Sequence, residues 1–303
     1  MKQRFLPVMC LFVAAAFITI ALSSCGPDEN GGDSSDTTGA DTDGMTAADT
    51  SGADLPAGVP SPSEMFAFMK VAGAKNADFN LLNPVENEKK YESKKAQSLN
   101  LGIYSADLLY CSTFGAGSNK VVPYFGVCVR MGDKLKVATS LTEKDKDRIS
   151  KNAGNADSLI AISSDLYLSS FENLEQGDRG ADLSLMLAGG WVETLYLMSS
   201  MVKDFEKDKQ TAEHIAEQKI SLDNLLEFIS KYESNENVKA VSGDLKELQT
   251  LFADVQMGRS GGMTMKNNKR VLGGGAKTEI TKDQFEKIKT KIGGMRTSFI
   301  AAQ

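Results

Sequence analysis

The sequence predicts an all-α protein, with roughly nine or ten antiparallel helices in a helical bundle or irregular α-solenoid-like array, preceded by a disordered tether. Three observations carry this. All seven prolines (7, 27, 56, 60, 62, 84, 123) lie in the first 123 residues of 303, so the last 180 contain none. Proline removes a helix hydrogen bond and clashes with the preceding turn, so a long proline-free stretch rich in Leu, Lys, Glu and Ala favours helix. Two capping boxes mark helix starts, and apolar residues recur at helical spacing behind them.

The first helix opens at Ser61-Pro62-Ser63-Glu64, with proline at the first helical position, where its missing N–H costs nothing. Met65, Phe66, Met69 and Val71 follow, giving an expected helix over 62–73. Further helices are expected over 86–100, 102–114, 121–137, 142–152, 156–174 and 180–203. Leu222, Leu225, Leu226 and Ile229 stripe the next, 207–232, and Leu245, Leu248, Phe252 and Val255 the one over 238–257. Thr281-Lys282-Asp283-Gln284 caps the last, 281–300, ahead of Phe285, Ile288, Ile292, Met295 and Phe299. Short polar links make sequence neighbours antiparallel. The body over 61–303 fits one large domain or two halves, with a break at the charged DFEKDKQ (204–210). A Gly-rich basic loop at about 258–278 is the one strongly non-helical part, and Asn267-Asn268 suits a small hairpin turn.

Residues 1–24 read as a secretory leader: Lys2 and Arg4, then an apolar run from Phe5 to about Leu22. The run closes with Leu22-Ser23-Ser24-Cys25, which resembles the lipobox of bacterial lipoproteins. That resemblance implies cleavage before Cys25, acylation of its thiol by palmitate-type chains, and a lasting hold on a lipid bilayer. Each buried CH₂ contributes roughly 0.8 kcal/mol, and several chains together anchor firmly. Gly26 stands where an Asp would favour the inner membrane of enterobacteria, so the class rule implies the outer membrane.

Residues 25–60 hold eight acids and no base, a composition that cannot offset the entropy of ordering. Such a coil spans roughly 33 Å root-mean-square. Asp28-Glu29 just behind the cysteine resembles the surface-display signal of Bacteroidota lipoproteins, the alternative being a solvated spacer. The body is therefore placed on either the periplasmic face or the cell surface. The chain carries −6, of which the leader supplies +2 and the tether −8, leaving a neutral body. A neutral body has no basic field of the kind nucleic acid requires. Together with LNLGIYSADLLY (99–110) and GGWVETLYL (189–197), the lipobox and tether resemble all-helical lipoproteins of Bacteroidota. The resemblance implies a helical fold and brings no particular activity.

Three apolar helices each place an acid just before a tyrosine: Asp107/Tyr110, Asp165/Tyr167 and Glu193/Tyr196. Their irregular spacing makes a repeat a weak clue. Ionised carboxylates are costly to bury unless paired. One reading is therefore a polar ligand pocket of Tyr104, Asp107, Tyr110, Asp165, Trp191, Glu193 and Tyr196. The other, which we favour, is a set of buried hydrogen bonds to Tyr and Ser hydroxyls that fixes helix register. Gly189-Gly190 permits close helix packing, with Trp191 filling the space beside it.

His214, the one histidine, sits in Ala212-Glu213-His214-Ile215-Ala216-Glu217. His-x-x-Glu is similar to the Gly-x-His-x-x-Glu motif of imelysin-like exported proteins, with Ala212 in place of the Gly. The alternative is an exposed residue on a charged helix. A single histidine argues against a di-metal carboxylate bundle, which uses two Glu-x-x-His pairs. Cys111 and Cys128 flank a turn with an axial offset of about 7 Å, which favours free thiols over a disulfide. Gly273-Gly274-Gly275-Ala276-Lys277-Thr278 fails the phosphate-loop spacing, because Val271 and Ala276 stand where glycines are required. The sequence thus points to no catalytic residue, cofactor or metal. It points to a non-enzymatic binding or scaffold protein of the envelope, with a small-ligand-binding lipoprotein as the alternative and an imelysin-like protein as a remote third.

Overall fold

Two helices that are buried nearly all round form the centre. The structure, a computed structural model, describes residues 58–301 except 72–73, 75–76, 138–142, 153–154, 259–262, 267–268 and 273–277. The leader, Cys25 and the tether up to residue 57 lie outside the described residues, as do Gly261, Gly262 and Gly273 to Gly275 of the basic loop. The last three tether residues are described, with Val59 buried in the core and the Gly58 carbonyl accepting from Asn224 (3.0 Å). The described part is all-α but for one small hairpin. It comprises α1 (Pro62–Val71), a 3₁₀ turn (Val85–Lys90), α2 (Lys94–Thr113), α3 (Ser118–Lys134), α4 (Glu143–Lys151) and α5 (Ala156–Gln176). After these come α6 (Gly180–Met201), α7 (Lys209–Ser230), α8 (Glu236–Ala253), β1 (Met263–Lys266), β2 (Lys269–Leu272) and α9 (Lys282–Ile300).

α2 and α6 run against each other more extensively than any other pair. α2 is buried at all but three positions from Lys94 to Thr113, and α6 at all but four. A helix apolar on every side belongs inside a core. Around this pair, α1, α3, α5 and α9 pack on α2, while α1, α5, α7, α8 and α9 pack on α6. In a solenoid each unit touches only its neighbours in sequence. Here elements far apart in the chain share one centre, so the architecture is a bundle. The charged stretch 204–210 makes no break. Phe205 is buried against Phe285 of α9, and the Asp208 carboxylate accepts the Lys203 and Asp204 amides in a tight turn.

Both expected capping boxes are present. Glu64 N–H donates to Ser61 Oγ (3.3 Å) and Ser61 N–H to Glu64 Oε2 (2.6 Å). Thr281 and Gln284 exchange the same pair of bonds at 3.2 and 2.9 Å. Three boundaries differ from expectation. The stretch 86–100 divides into the 3₁₀ turn and the start of α2, whose N-cap Ser93 accepts the Ala96 amide (3.1 Å). The helices expected over 86–100 and 102–114 are otherwise one, because Gly102 sits inside α2 at the crossing with α6. α3 begins at Ser118 behind Gly117 (φ 78°), three residues earlier than expected, so Pro123 falls in its second turn and not in its first.

The crossing explains the glycines. A Cβ on Gly102 would overlap the Met186 carbonyl oxygen, and one on Gly189 the Leu99 carbonyl. α2 and α6 therefore meet backbone to backbone. β1 and β2 pair antiparallel, Met263 opposite Leu272 and Lys266 opposite Lys269, a small hairpin where one was expected; the expected turn residues Asn267 and Asn268 lie outside the described residues. The hairpin is an excursion between α8 and α9, closed at its base by the Glu279 amide donating to Gln256 O (2.9 Å).

Candidate functional site

Asp107 on α2 and Glu193 on α6 meet in the centre, both wholly buried. Their proximity follows from the glycine crossing, which brings the two helix backbones together one to two turns away. Arg296 reaches them from α9. Its Nε donates to Glu193 Oε2 (3.0 Å), and one terminal nitrogen donates to Glu193 Oε1 (3.3 Å) and to the Leu81 carbonyl (2.8 Å). The guanidinium lies over the Tyr196 ring at 4.7 Å. Asp107 Oδ2 accepts the Asn83 amide (3.1 Å), while Oδ1 has no protein donor.

Burial, and then the neighbouring Glu193 charge, push the Asp107 carboxyl well above its ordinary value; Arg296 pulls the other way. Burial also raises Glu193, against the opposing pull of Arg296. Of the two, Glu193 is the one that two hydrogen bonds from a cation favour as the anion.

Residues 78–84, a turn at Phe79-Asn80 followed by a bend, lie across this cluster as a strap. Asp78 N–H donates to the Tyr110 hydroxyl (3.0 Å), and the Tyr104 hydroxyl donates to the Pro84 carbonyl (2.9 Å). With Asn83 on Asp107 and Leu81 on Arg296, four backbone groups of residues 78–84 are bound by buried side chains. The Asn83 side-chain Nδ2 donates to Tyr91 OH (3.0 Å) and Asn100 Oδ1 (3.2 Å). Asn100 and Tyr91 donate in turn to the Phe299 and Ile300 carbonyls, at 3.0 and 3.3 Å. Those carbonyls end α9 and lack helical partners of their own.

Of the residues singled out from sequence, Tyr104, Asp107, Tyr110, Glu193 and Tyr196 join this network, and two do not. Asp165 has a 68% exposed side chain and a 4.0 Å ion pair with Arg148. The reason is spacing. Asp165 precedes Tyr167 by two residues, which puts them on opposite faces of α5, so Tyr167 is buried and Asp165 faces water. The other two acids precede their tyrosines by three and share a face. Trp191, two residues before Glu193, likewise turns away and donates to Ser221 Oγ of α7 (3.1 Å). The bonds expected to Tyr and Ser hydroxyls are instead bonds to a backbone amide and a guanidinium.

Sequence reasoning missed Asn83 and Arg296. Arg296 was within reach: it lies four residues after Ile292 and three before Phe299, on the apolar stripe of α9, where a cation implies a buried anion. Asn83 carried no such signal.

Elsewhere, Cys111 and Cys128 are buried free thiols. Burial pushes Cys128 up to about 12 and Cys111 higher still, so neither is a nucleophile at neutral pH. His214 is not exposed. Its ring stacks under Phe68 (centroids 3.5 Å apart), and its Nδ1 lies 2.9 Å from Glu217 Oε2. Among the described residues no three His, Cys, Asp or Glu side chains are grouped to hold a metal ion, and no helix is long and apolar enough to cross a membrane.

The chemistry of the central cluster is that of a closed, charge-compensated junction. Its two acids have no exposed surface, and the strap occupies the groove over them.

The chain matches no family model, no curated protein and no solved structure. What it does therefore has to be argued from its own residues.

Proposed function

We propose that this protein is a lipoprotein of the bacterial outer membrane, held to the bilayer through acylated Cys25, whose helical body is a non-enzymatic binding or scaffold module of the cell envelope. The observation that carries the address is the Leu22-Ser23-Ser24-Cys25 lipobox at the end of an apolar run headed by Lys2 and Arg4. The acid-rich, base-free residues 25–60 suit a tether that lets the body reach a partner away from the lipid surface.

Binding in place of turnover is supported by how the body uses its unusual acids. Asp107 and Glu193 would be the natural proton donors or ligand anchors. Both are committed to Arg296 and to the strap, with no exposed surface. The partner would be another envelope protein, met on the outer helices. Nucleic acid is disfavoured by the neutral charge of the body.

The test is fatty-acid labelling in cells. The wild type is expected to take up a labelled acyl chain and partition with membranes, and Cys25→Ser to lose both. An unlabelled, membrane-free wild type would end the proposal. Protease treatment of intact cells then assigns the side: digestion means surface display, and protection until the outer membrane is permeabilised means a periplasmic body.

A further inference from the structure

We propose that Asp107 and Glu193 hold a single buried proton between them, and that this proton keeps the Asp78–Pro84 strap closed over the centre of the bundle. The inference starts from a count of charges and donors. Two carboxylates and one guanidinium meet where Asp107 and Glu193 have zero exposure and the Arg296 side chain 10%. Arg296 satisfies both oxygens of Glu193. Asp107 Oδ2 takes the Asn83 amide. Asp107 Oδ1 is the one buried side-chain N or O atom, among the described residues, with no hydrogen-bond partner. A bare carboxylate there would set an unsatisfied, fully desolvated oxygen beside a second negative charge. A proton on Oδ1 removes the charge and turns the orphan acceptor into a donor toward Glu193. Asp107 is then a neutral acid, Glu193 an anion and Arg296 its cation, and the cluster closes with no net charge.

No other group facing Asp107 substitutes for that proton. From α2 itself come Tyr104, Tyr110 and Cys111, from α3 Tyr124 and Cys128, and from beyond the 3₁₀ turn Tyr91. All six are raised by burial and stay neutral. Arg130 and Lys134 of α3 are engaged by Glu88, and Asp182 of α6 by Arg179. Glu64 and Lys70 of α1 are exposed, as are Asp157, Asp165 and Glu175 of α5, with Glu172 half-buried. On α9 the cation at the site is Arg296.

The proton matters for the strap because of what can move. Losing it leaves two anions against one cation, and the excess charge has to be hydrated. α2 and α6 are in backbone contact at Gly102 and Gly189 and cannot part locally. The strap is irregular chain outside any helix, held by four single backbone hydrogen bonds, by the Asn83 side chain on Tyr91 and Asn100, and by the Phe79 ring against Tyr110. Water reaches Asp107 by lifting it. The sign follows from linkage. An acid held above its ordinary value of 3.8 binds more protons folded than unfolded, so its contribution is complete below 3.8 and is lost as pH rises through the raised value. The strap should therefore open on the alkaline side.

Asp107→Asn tests this, because asparagine carries a permanent donor and a permanent acceptor in the shape of the protonated acid. Two readouts on the purified protein decide. The first is the infrared carbonyl band of a protonated carboxylic acid at neutral pH, expected in the wild type and absent from Asp107→Asn. The second is hydrogen exchange of the 78–84 peptide against pH, corrected for intrinsic rates, with tyrosinate absorbance followed in parallel. Wild-type protection is expected to fall at least tenfold as the band disappears, while Asp107→Asn stays protected. No acid band in the wild type, or the same alkaline loss of protection in Asp107→Asn, overturns the proposal. If Asp107→Asn does not fold, the wild type decides alone: band and protection must vanish together, and a missing band, or protection that persists after the band is gone, overturns it.

Discussion

Arg296 shows how one residue's value depends on what it would leave behind. It is the counter-charge of a wholly buried Glu193 and also holds the Leu81 carbonyl. Removing one member of a buried pair strands the other, at a cost of about 3–5 kcal/mol. Arg296→Met is expected to destabilise by that amount in denaturant unfolding. Replacing both Arg296 and Glu193 by apolar residues should cost clearly less than the two single changes added, and a double-mutant cycle measures the difference. Glu88 gives a milder case with the opposite pH sign. Burial works against its charge, but hydrogen bonds and ion pairs from Arg130 and Lys134 hold the carboxyl below 4.5. Its contribution is present above 4.5 and lost as pH falls through the lowered value. Arg130 is half exposed, so Glu88→Gln should cost about 1 kcal/mol or less near neutrality and nothing at strongly acid pH. What the sequence made readable at this scale was the acid-to-tyrosine interval. It was read too coarsely: Asp165 was grouped with Asp107 and Glu193, although its interval of two residues, against their three, turns it outward. What stayed hidden was Asn83, because a backbone amide donated from an irregular segment leaves no mark in residue type.

At the scale of elements, the same substitution is expected to act in opposite directions on different helices. Gly102→Ala or Gly189→Ala drives a methyl group into the backbone of the facing helix. Overpacking of a rigid core costs about 1–3 kcal/mol, and here the obstacle is backbone, so the upper end is expected. Gly243 in α8 and Gly294 in α9 have nothing within 4 Å of the added carbon. Alanine there should stabilise by about 0.5–1 kcal/mol, because it limits the unfolded chain and favours helix. Melting temperatures of the four variants check both signs at once. The helices were legible from caps and apolar periodicity, since these are local. Gly102 was not, because whether a glycine ends a helix or admits a neighbour depends on a partner more than 80 residues away, and nothing nearby encodes it. The 3₁₀ turn was likewise read as the start of a helix over 86–100, although only Glu88 is buried there, pinned to α3.

For the molecule as a whole, the question raised by the charged stretch 204–210 is whether the body unfolds as one unit or two. α6 ends just before that stretch, yet it packs against α7, α8 and α9 on one side of the sequence and α1, α2 and α5 on the other. The Glu193–Arg296 pair and the bonds from Asn100 and Tyr91 to the end of α9 join residues about 100 to 200 positions apart. A body near 240 residues also lies at the upper range for a single hydrophobic core. Trp191, the sole tryptophan, reports the α6–α7 contact through Ser221, while far-UV circular dichroism reports all helices. Both probes are expected to follow one denaturant transition with the same midpoint. Arg296→Met, a change in the last helix, should shift the two midpoints together, although Trp191 lies on the opposite face of α6 from the pair. Separate midpoints, or a shift in circular dichroism that leaves the tryptophan signal in place, would mean that α7 to α9 form a second cooperative unit. The central pair would then be a junction between two units and not the middle of one core.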